Sequence, residues 1–192
     1  MGRTAGRSAE ATRRAVITAA ARLIVARGRV VSLDAIAEAA GVSKGGLIYH
    51  FPSKDDLFAA IVRSYADAFR DRVMARAAAG TTKRGRLTRA YVEVALDPRE
   101  LTGEQRDRLV VIGQLMSIPS VAEIAAEDVR RWERDLAADG VSPDIQQVVV
   151  AASDGAEGAL LWGAEADEAS LDRLRATLIG LLDRDLTSGS GG

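Results

Sequence analysis

Apolar residues recur at three- and four-residue steps along nearly the whole of this 192-residue chain, and no stretch shows the period of two that a hairpin sheet requires. That periodicity predicts an all-α fold. A first helix is expected over about Ser8 to Arg27, with Val16, Ala19, Ala20, Leu23 and Ile24 on one stripe and Gly28 where a left-handed residue stops a helix. Ser32 can cap Leu33 to Ala40, Gly41 can turn the chain, and Ser43 can cap Lys44 to about His50. Two short helices joined by a glycine turn make a compact helix-turn-helix. The stretch Ser53-Lys54-Asp55-Asp56 reads as a capping box, opening a longer helix to about Ala78 whose stripe is Phe58, Ile61, Val62, Tyr65, Phe69 and Val73.

Gly80 to Gly85 reads as a linker, and start signals repeat beyond it. Helices are expected over Leu87–Leu96, then from Thr102 with Gln105 as a box to about Ser117. The next opens at Pro119, or at Ser120 with Glu123 as its box, and carries Val121, Ile124, Ala125, Val129, Trp132 and Leu136. Ser142-Pro143 starts a long helix through Ile145, Val148, Val149, Ala152, Ala159 and Trp162, and a last helix covers about Asp167 to Leu186. The expected organisation is an N-terminal three-helix domain over 8–54, a helical bundle over 55–187 reached through a connecting helix at 55–78, and a flexible tail at 188–192. About nine helices result.

Composition removes several functions. There is no cysteine and only one histidine, so disulfide scaffolds, Cys/His zinc sites and cysteine nucleophiles drop out, and no metal or cofactor is expected. No run of about 18 apolar residues and no signal-like start is present, so a cytoplasmic location is expected. Residues 1–54 hold nine basic side chains against three acidic ones, a net +6, while the remainder is −7. A basic head on an acidic body is the distribution that phosphate contacts require.

The sharpest motif runs from Ser32 through Gly41, Ser43-Lys44-Gly45-Gly46, Ile48-Tyr49-His50-Phe51 and Ser53-Lys54 to Leu57. In a helix-turn-helix the start of the second helix enters the major groove, so Lys44, Gly45 and Gly46 occupy the reading positions. The stretch from Thr12 to Leu57 resembles the N-terminal signature of the tetracycline-repressor family of bacterial transcriptional regulators. Turn glycine, second-helix cap, aromatic-His-Phe and the next cap all fall at that family's spacing. The resemblance implies that Lys44 touches a base edge or phosphate, and that Tyr49, His50 and Lys54 hold phosphates; Ser32 is a further phosphate candidate, while Ser43 is first a cap. Because Gly45 and Gly46 carry no side chains, direct readout falls on Lys44 and on Ile48, which can pack on a thymine methyl. Most of these contacts position the protein; few specify sequence. Phe51 reads as a core ring.

One competing motif fails. Gly41-Val42-Ser43-Lys44-Gly45 matches the G-x-S-x-G elbow of α/β-hydrolases, but that elbow needs a preceding strand, and the only histidine follows seven residues on. Glu123, Glu127 and Asp128 are followed by Arg130, Arg131 and Arg134, the pattern of a solvated ion-paired face and not of a catalytic carboxylate pair. The chain is expected not to be an enzyme.

The resemblance also implies a homodimer with an effector-responsive second domain. Ala151, Ala152, Gly155, Ala156, Gly158 and Ala159 form a small-residue helix stretch, and Leu171, Leu174, Leu178, Leu181 and Leu182 stripe the last helix, as close helix packing across a twofold axis would need; an ordinary core gives the same pattern. Tyr91, Leu109, Ile112, Leu115, Met116, Trp132 and Trp162 are candidate walls of an effector pocket. The expected function is a DNA-binding transcriptional regulator, a repressor released from a near-palindromic operator by a small molecule. The alternative is a helical ligand-binding or protein-interaction module whose head no longer binds DNA.

Overall fold

Four serines begin the first four helices, each with its hydroxyl oxygen accepting from a backbone N–H three residues on. Ser8 accepts from Ala11 (3.1 Å) ahead of α1 (Ala9–Arg27), and Ser32 from Ala35 (3.2 Å) ahead of α2 (Leu33–Ala40). Ser43 accepts from Gly46 (3.0 Å) ahead of α3 (Lys44–His50), and Ser53 from Asp56 (3.0 Å) ahead of α4 (Lys54–Ala79). Asp56 completes the box by accepting from the Ser53 N–H at 3.0 Å. The computed structural model describes residues 8–81, 83–99, 101, 103–163 and 167–188. The residues before Ser8, the expected cap Thr102 and 189–192 of the expected tail lie outside these; Ser188, the first residue of that expected tail, is instead the last of the final helix.

Nine α-helices and one 3₁₀ turn occur among the described residues, and no strand. The remaining helices are α5 (Arg86–Ala95), α6 (Gly103–Leu115), α7 (Pro119–Ala137), α8 (Pro143–Gly158) and α9 (Glu168–Ser188). One helix start is decided between the two expected, and one helix end differs from the expectation. Helix α7 begins with Pro119 in its first turn, and the Ser120 hydroxyl is buried without a hydrogen-bond partner, so Ser120 is not the cap. Helix α8 stops at Gly158, and the chain tightens into a 3₁₀ turn, Ala159–Trp162, closed by Gly163 in the left-handed region; Ala159 and Trp162 are therefore not on the long helix.

By packing, the chain forms two units, each with its own core. The first comprises residues up to Ala66 together with Val110–Glu127. Here α1, α2 and α3 pack on one another, burying Val16, Ala20, Ile24, Ile36 and Leu47 completely or nearly so. Phe51 is 2% exposed, as expected for a core ring, and Leu57, Ile61, Val111, Leu115 and Val121 complete this core. The turn between α2 and α3 depends on Gly41, whose φ of 68° and ψ of 35° are left-handed. The Val42 N–H reaches back to the Ala37 carbonyl (3.0 Å) and Gly41 to Glu38 (3.0 Å), the pattern of a Schellman cap.

The second unit comprises Asp67–Leu109 and the chain from Asp128 onward. Helices α5, α8 and α9 pack together around Val92, Leu96, Val149, Leu171, Leu178 and Leu182, and a second cluster gathers Val73, Ala90, Tyr91, Trp132 and Leu136. Helix α5 has only Gly85 at its N-cap and no local side-chain cap. Asp139 supplies one from a distance: its carboxylate accepts from the Leu87 N–H (3.1 Å), the Thr88 N–H (2.7 Å) and the Thr88 hydroxyl (2.8 Å).

Candidate nucleic-acid interface and effector cavity

Helix α3 is only seven residues long and divides its faces sharply. Leu47 is fully buried and anchors it, while Ile48 is 41% and Tyr49 83% exposed. The Tyr49 ring stands edge-on to His50 with centroids 5.3 Å apart, and His50, half-buried, leans on Phe51. At the start of the helix Gly45 is exposed, and a Cβ built there would meet nothing within 4 Å. Internal packing therefore does not demand glycine at Gly45; the bare backbone leaves room for something outside the chain to approach.

The cationic and hydroxyl groups named from the sequence have these contacts. Ser32 and Ser43 spend an oxygen lone pair on capping, which leaves each hydroxyl proton able to donate to a phosphate. Lys54 holds its ammonium 5.3 Å from the centre of the Phe58 ring. Two partnerships have no sequence-local signal. Lys44 Nζ pairs with Asp34 Oδ2 at 3.0 Å across the α2–α3 turn, and the Arg13 guanidinium stacks 5.3 Å from the Phe51 ring centre.

The expected pocket residues do not all converge. Tyr91 and Trp132 do: their rings meet edge to face at 5.1 Å, and Phe69 joins both at 5.2 and 5.8 Å. Both line a cavity of about 440 Å³ bounded by α5, α7 and α8, with Leu136, Gln146, Val150 and Asp154 among its walls. Tyr91 donates its hydroxyl proton to Asp154 Oδ1 at 2.6 Å. Burial and the neighbouring Asp154 charge push the Tyr91 phenol well above its usual range, so it remains a donor; burial also raises Asp154, against the Tyr91 hydrogen bond. Trp162 is 91% exposed and Met116 41%, Ile112 packs on the first unit's core, Leu115 is fully buried in that core, and Leu109 packs on the Val92 cluster. Asp154 and Gln146 were not foreseen, because polar residues on a helix give no sign of lining a cavity.

The expected interface residues divide similarly. Leu171 and Leu178 are buried in the second unit's own core, Leu174 and Ala152 pack against it, and Ala159 is half-buried. Gly155 is exposed, as are Val148 (50%), Leu161 (43%) and Trp162. No helix among the described residues is long and apolar enough to cross a membrane, and no group of His, Asp or Glu among them could hold a metal ion.

Two family models match the chain. Residues 16–61 match one described as bacterial regulatory proteins, tetR family, and residues 85–183 match one described as tetracyclin repressor-like, C-terminal domain. Among solved structures, the chain is 26% identical to the multidrug binding protein EbrR complexed with imidazole, over 88% of this chain and 94% of that one, with a TM-score of 0.61. It is also 26% identical to a TetR-family member from Streptomyces coelicolor A3, over 89% and 98%, with a TM-score of 0.65. A transcriptional regulator from Rhodococcus sp. Rha1 shares the fold at 22% identity, 88% and 95% coverage and a TM-score of 0.69. No curated protein sequence matches. With the C-terminal model alone spanning more than half of the chain and the N-terminal model lying over the helix-turn-helix, the chain belongs to the TetR family of bacterial regulatory proteins, DNA-binding repressors with ligand-binding C-terminal domains.

Proposed function

We propose that residues 8–54 are the DNA-binding domain and that the outer face of α3 enters the major groove, with Lys44 and Ile48 at base edges and Ser32, Ser43, Tyr49, His50 and Lys54 on phosphates. One observation carries this reading: Tyr49 is 83% exposed two residues from the fully buried Leu47. A ring this exposed, in ring contact only with its neighbour His50 among the described residues, adds little to the fold, whereas a phenol hydroxyl beside a phosphate both donates and packs. Gly45, open to solvent with no packing reason to be glycine, supports close backbone approach.

Residues 55–187 then bind the effector and a second copy of the chain, with 55–78 as the connecting helix. A homodimer on a near-palindromic operator places its two recognition helices about 34–36 Å apart, in successive major grooves. Val148, Gly155, Leu161 and Trp162, exposed in one chain, are the surface we assign to that contact. The cavity at Tyr91 and Trp132 is the effector site; EbrR, a similar protein, has been solved with a small molecule bound. The protein works in the cytoplasm and performs no catalysis. Selection of random duplexes at physiological salt tests the reading. An inverted repeat is enriched by the native protein and not by Tyr49→Ala; no enrichment by folded, dimeric protein overturns it.

A further inference from the structure

The cavity bounded by α5, α7 and α8 has an uneven chemistry. Two of its walls are aromatic, Tyr91 and Trp132, and two are acidic, Glu133 and Asp154; no lysine, arginine or histidine lines it. Asp154 receives the Tyr91 hydroxyl at 2.6 Å and makes no ion pair among the described residues. The arginine beside the cavity is buried, is not among its lining residues, and is held through Nη1. The Arg70 guanidinium lies 4.0 Å from the centre of the Trp132 ring and pairs with Asp135 at 2.6 Å, so it covers one face of the indole and leaves Asp154 uncompensated.

We propose that this cavity takes a cationic aromatic molecule, with Asp154 as its counter-ion and the Tyr91 and Trp132 rings as its apolar walls. The inference rests on the effector-site reading above and names the class of effector. An anion would meet two carboxylates and no basic group. A neutral apolar molecule would displace the water that solvates Asp154 and give the carboxylate nothing in exchange, a desolvation cost that a cation removes. A ring system bearing the charge gains twice, from the carboxylate and from the electron-rich face of an aromatic wall that it stacks on. At about 440 Å³ the cavity is large enough for a molecule of a few rings.

Two ions of the same shape and opposite charge, tetraphenylphosphonium and tetraphenylborate, test this with the full-length protein. Trp162→Phe, a ring-for-ring change at the surface assigned to the dimer contact and used only once sedimentation shows the native oligomeric state, leaves Trp132 as the one tryptophan, so its fluorescence reports on the cavity wall. Tetraphenylphosphonium is expected to quench it saturably while tetraphenylborate does not. Asp154→Asn, which keeps an acceptor for the Tyr91 hydroxyl but no charge, is expected to weaken the phosphonium about tenfold or more. If both ions titrate Trp132 alike, or if Asp154→Asn binds the phosphonium unchanged, the cavity reading stands and the cation assignment falls. If neither ion perturbs Trp132, both fall. The comparison of the two ions needs no change at Asp154, so misfolding of that variant cannot shield the proposal.

Discussion

The ammonium of Lys44 stands 3.0 Å from the carboxylate of Asp34, on the neighbouring helix of the helix-turn-helix, and both side chains are more than half exposed. An exposed pair contributes little to stability, so its consequence lies in DNA binding. With Gly45 and Gly46 bare, Lys44 is the one long side chain at the start of α3, and a free ammonium there would take any phosphate within reach. Asp34 restrains it and adds a negative charge that a duplex must approach. Asp34→Asn is therefore expected to raise affinity for unrelated duplexes more than for the operator, and to steepen the salt dependence by about one unit of slope. Fluorescence anisotropy on both duplexes at several salt concentrations measures this; unchanged slopes would place Asp34 outside the interface.

Tyr49 and Lys54 separate binding from folding. Tyr49→Ala removes a ring that packs on little, so the unfolding free energy should stay within about 0.5 kcal/mol of native while operator affinity falls. Lys54→Ala should weaken all duplexes alike and flatten the salt slope by about one unit, the mark of one lost phosphate contact. Loss of stability without loss of binding in either variant would contradict the assigned roles.

Arg70 is a buried cation whose Nε and Nη2 have no hydrogen-bond partner, although Nη1 binds Asp135. Its contribution is then as much volume over the Trp132 ring as charge. Arg70→Ala, which leaves a void and frees two carboxylates, should cost about 3 kcal/mol or more. Arg70→Met fills the space, and because Asp135 and Asp128 retain access to water it should cost about 1 kcal/mol or less. Urea denaturation of the two variants decides: equal losses would show that the ion pair, not the packing, matters.

Asp139→Ala removes three hydrogen bonds from the first turn of α5 and is expected to cost about 1–2 kcal/mol, again by urea denaturation. Asp139→Asn keeps one acceptor and should cost less.

The legible part of this molecule is the part specified locally. Ser32, Gly41, Ser43 and Ser53 each act within three or four residues of themselves, so the helix-turn-helix and its bounds could be read from the sequence. The start of α5 could not, because its cap is Asp139. The cavity was half legible: Tyr91 and Trp132 meet in it, whereas Trp162, equally aromatic, stands in solvent beyond a 3₁₀ turn that no spacing announced. Leu171 and Leu178 form the same stripe whether they face a partner or their own core, and packing turned them inward.

The carboxylate of Asp139 lies 51 residues beyond the Thr88 it caps. A chain emerging from its N-terminus presents all of α5 before the group that closes its first turn exists, so α5 must begin without its cap. The full stability of its first turn comes only with the segment after α7, a non-local closure of the kind that slows folding. Afterwards the two elements should open together: the amides of Leu87 and Thr88 exchange with solvent only when the residues around Asp139 let go.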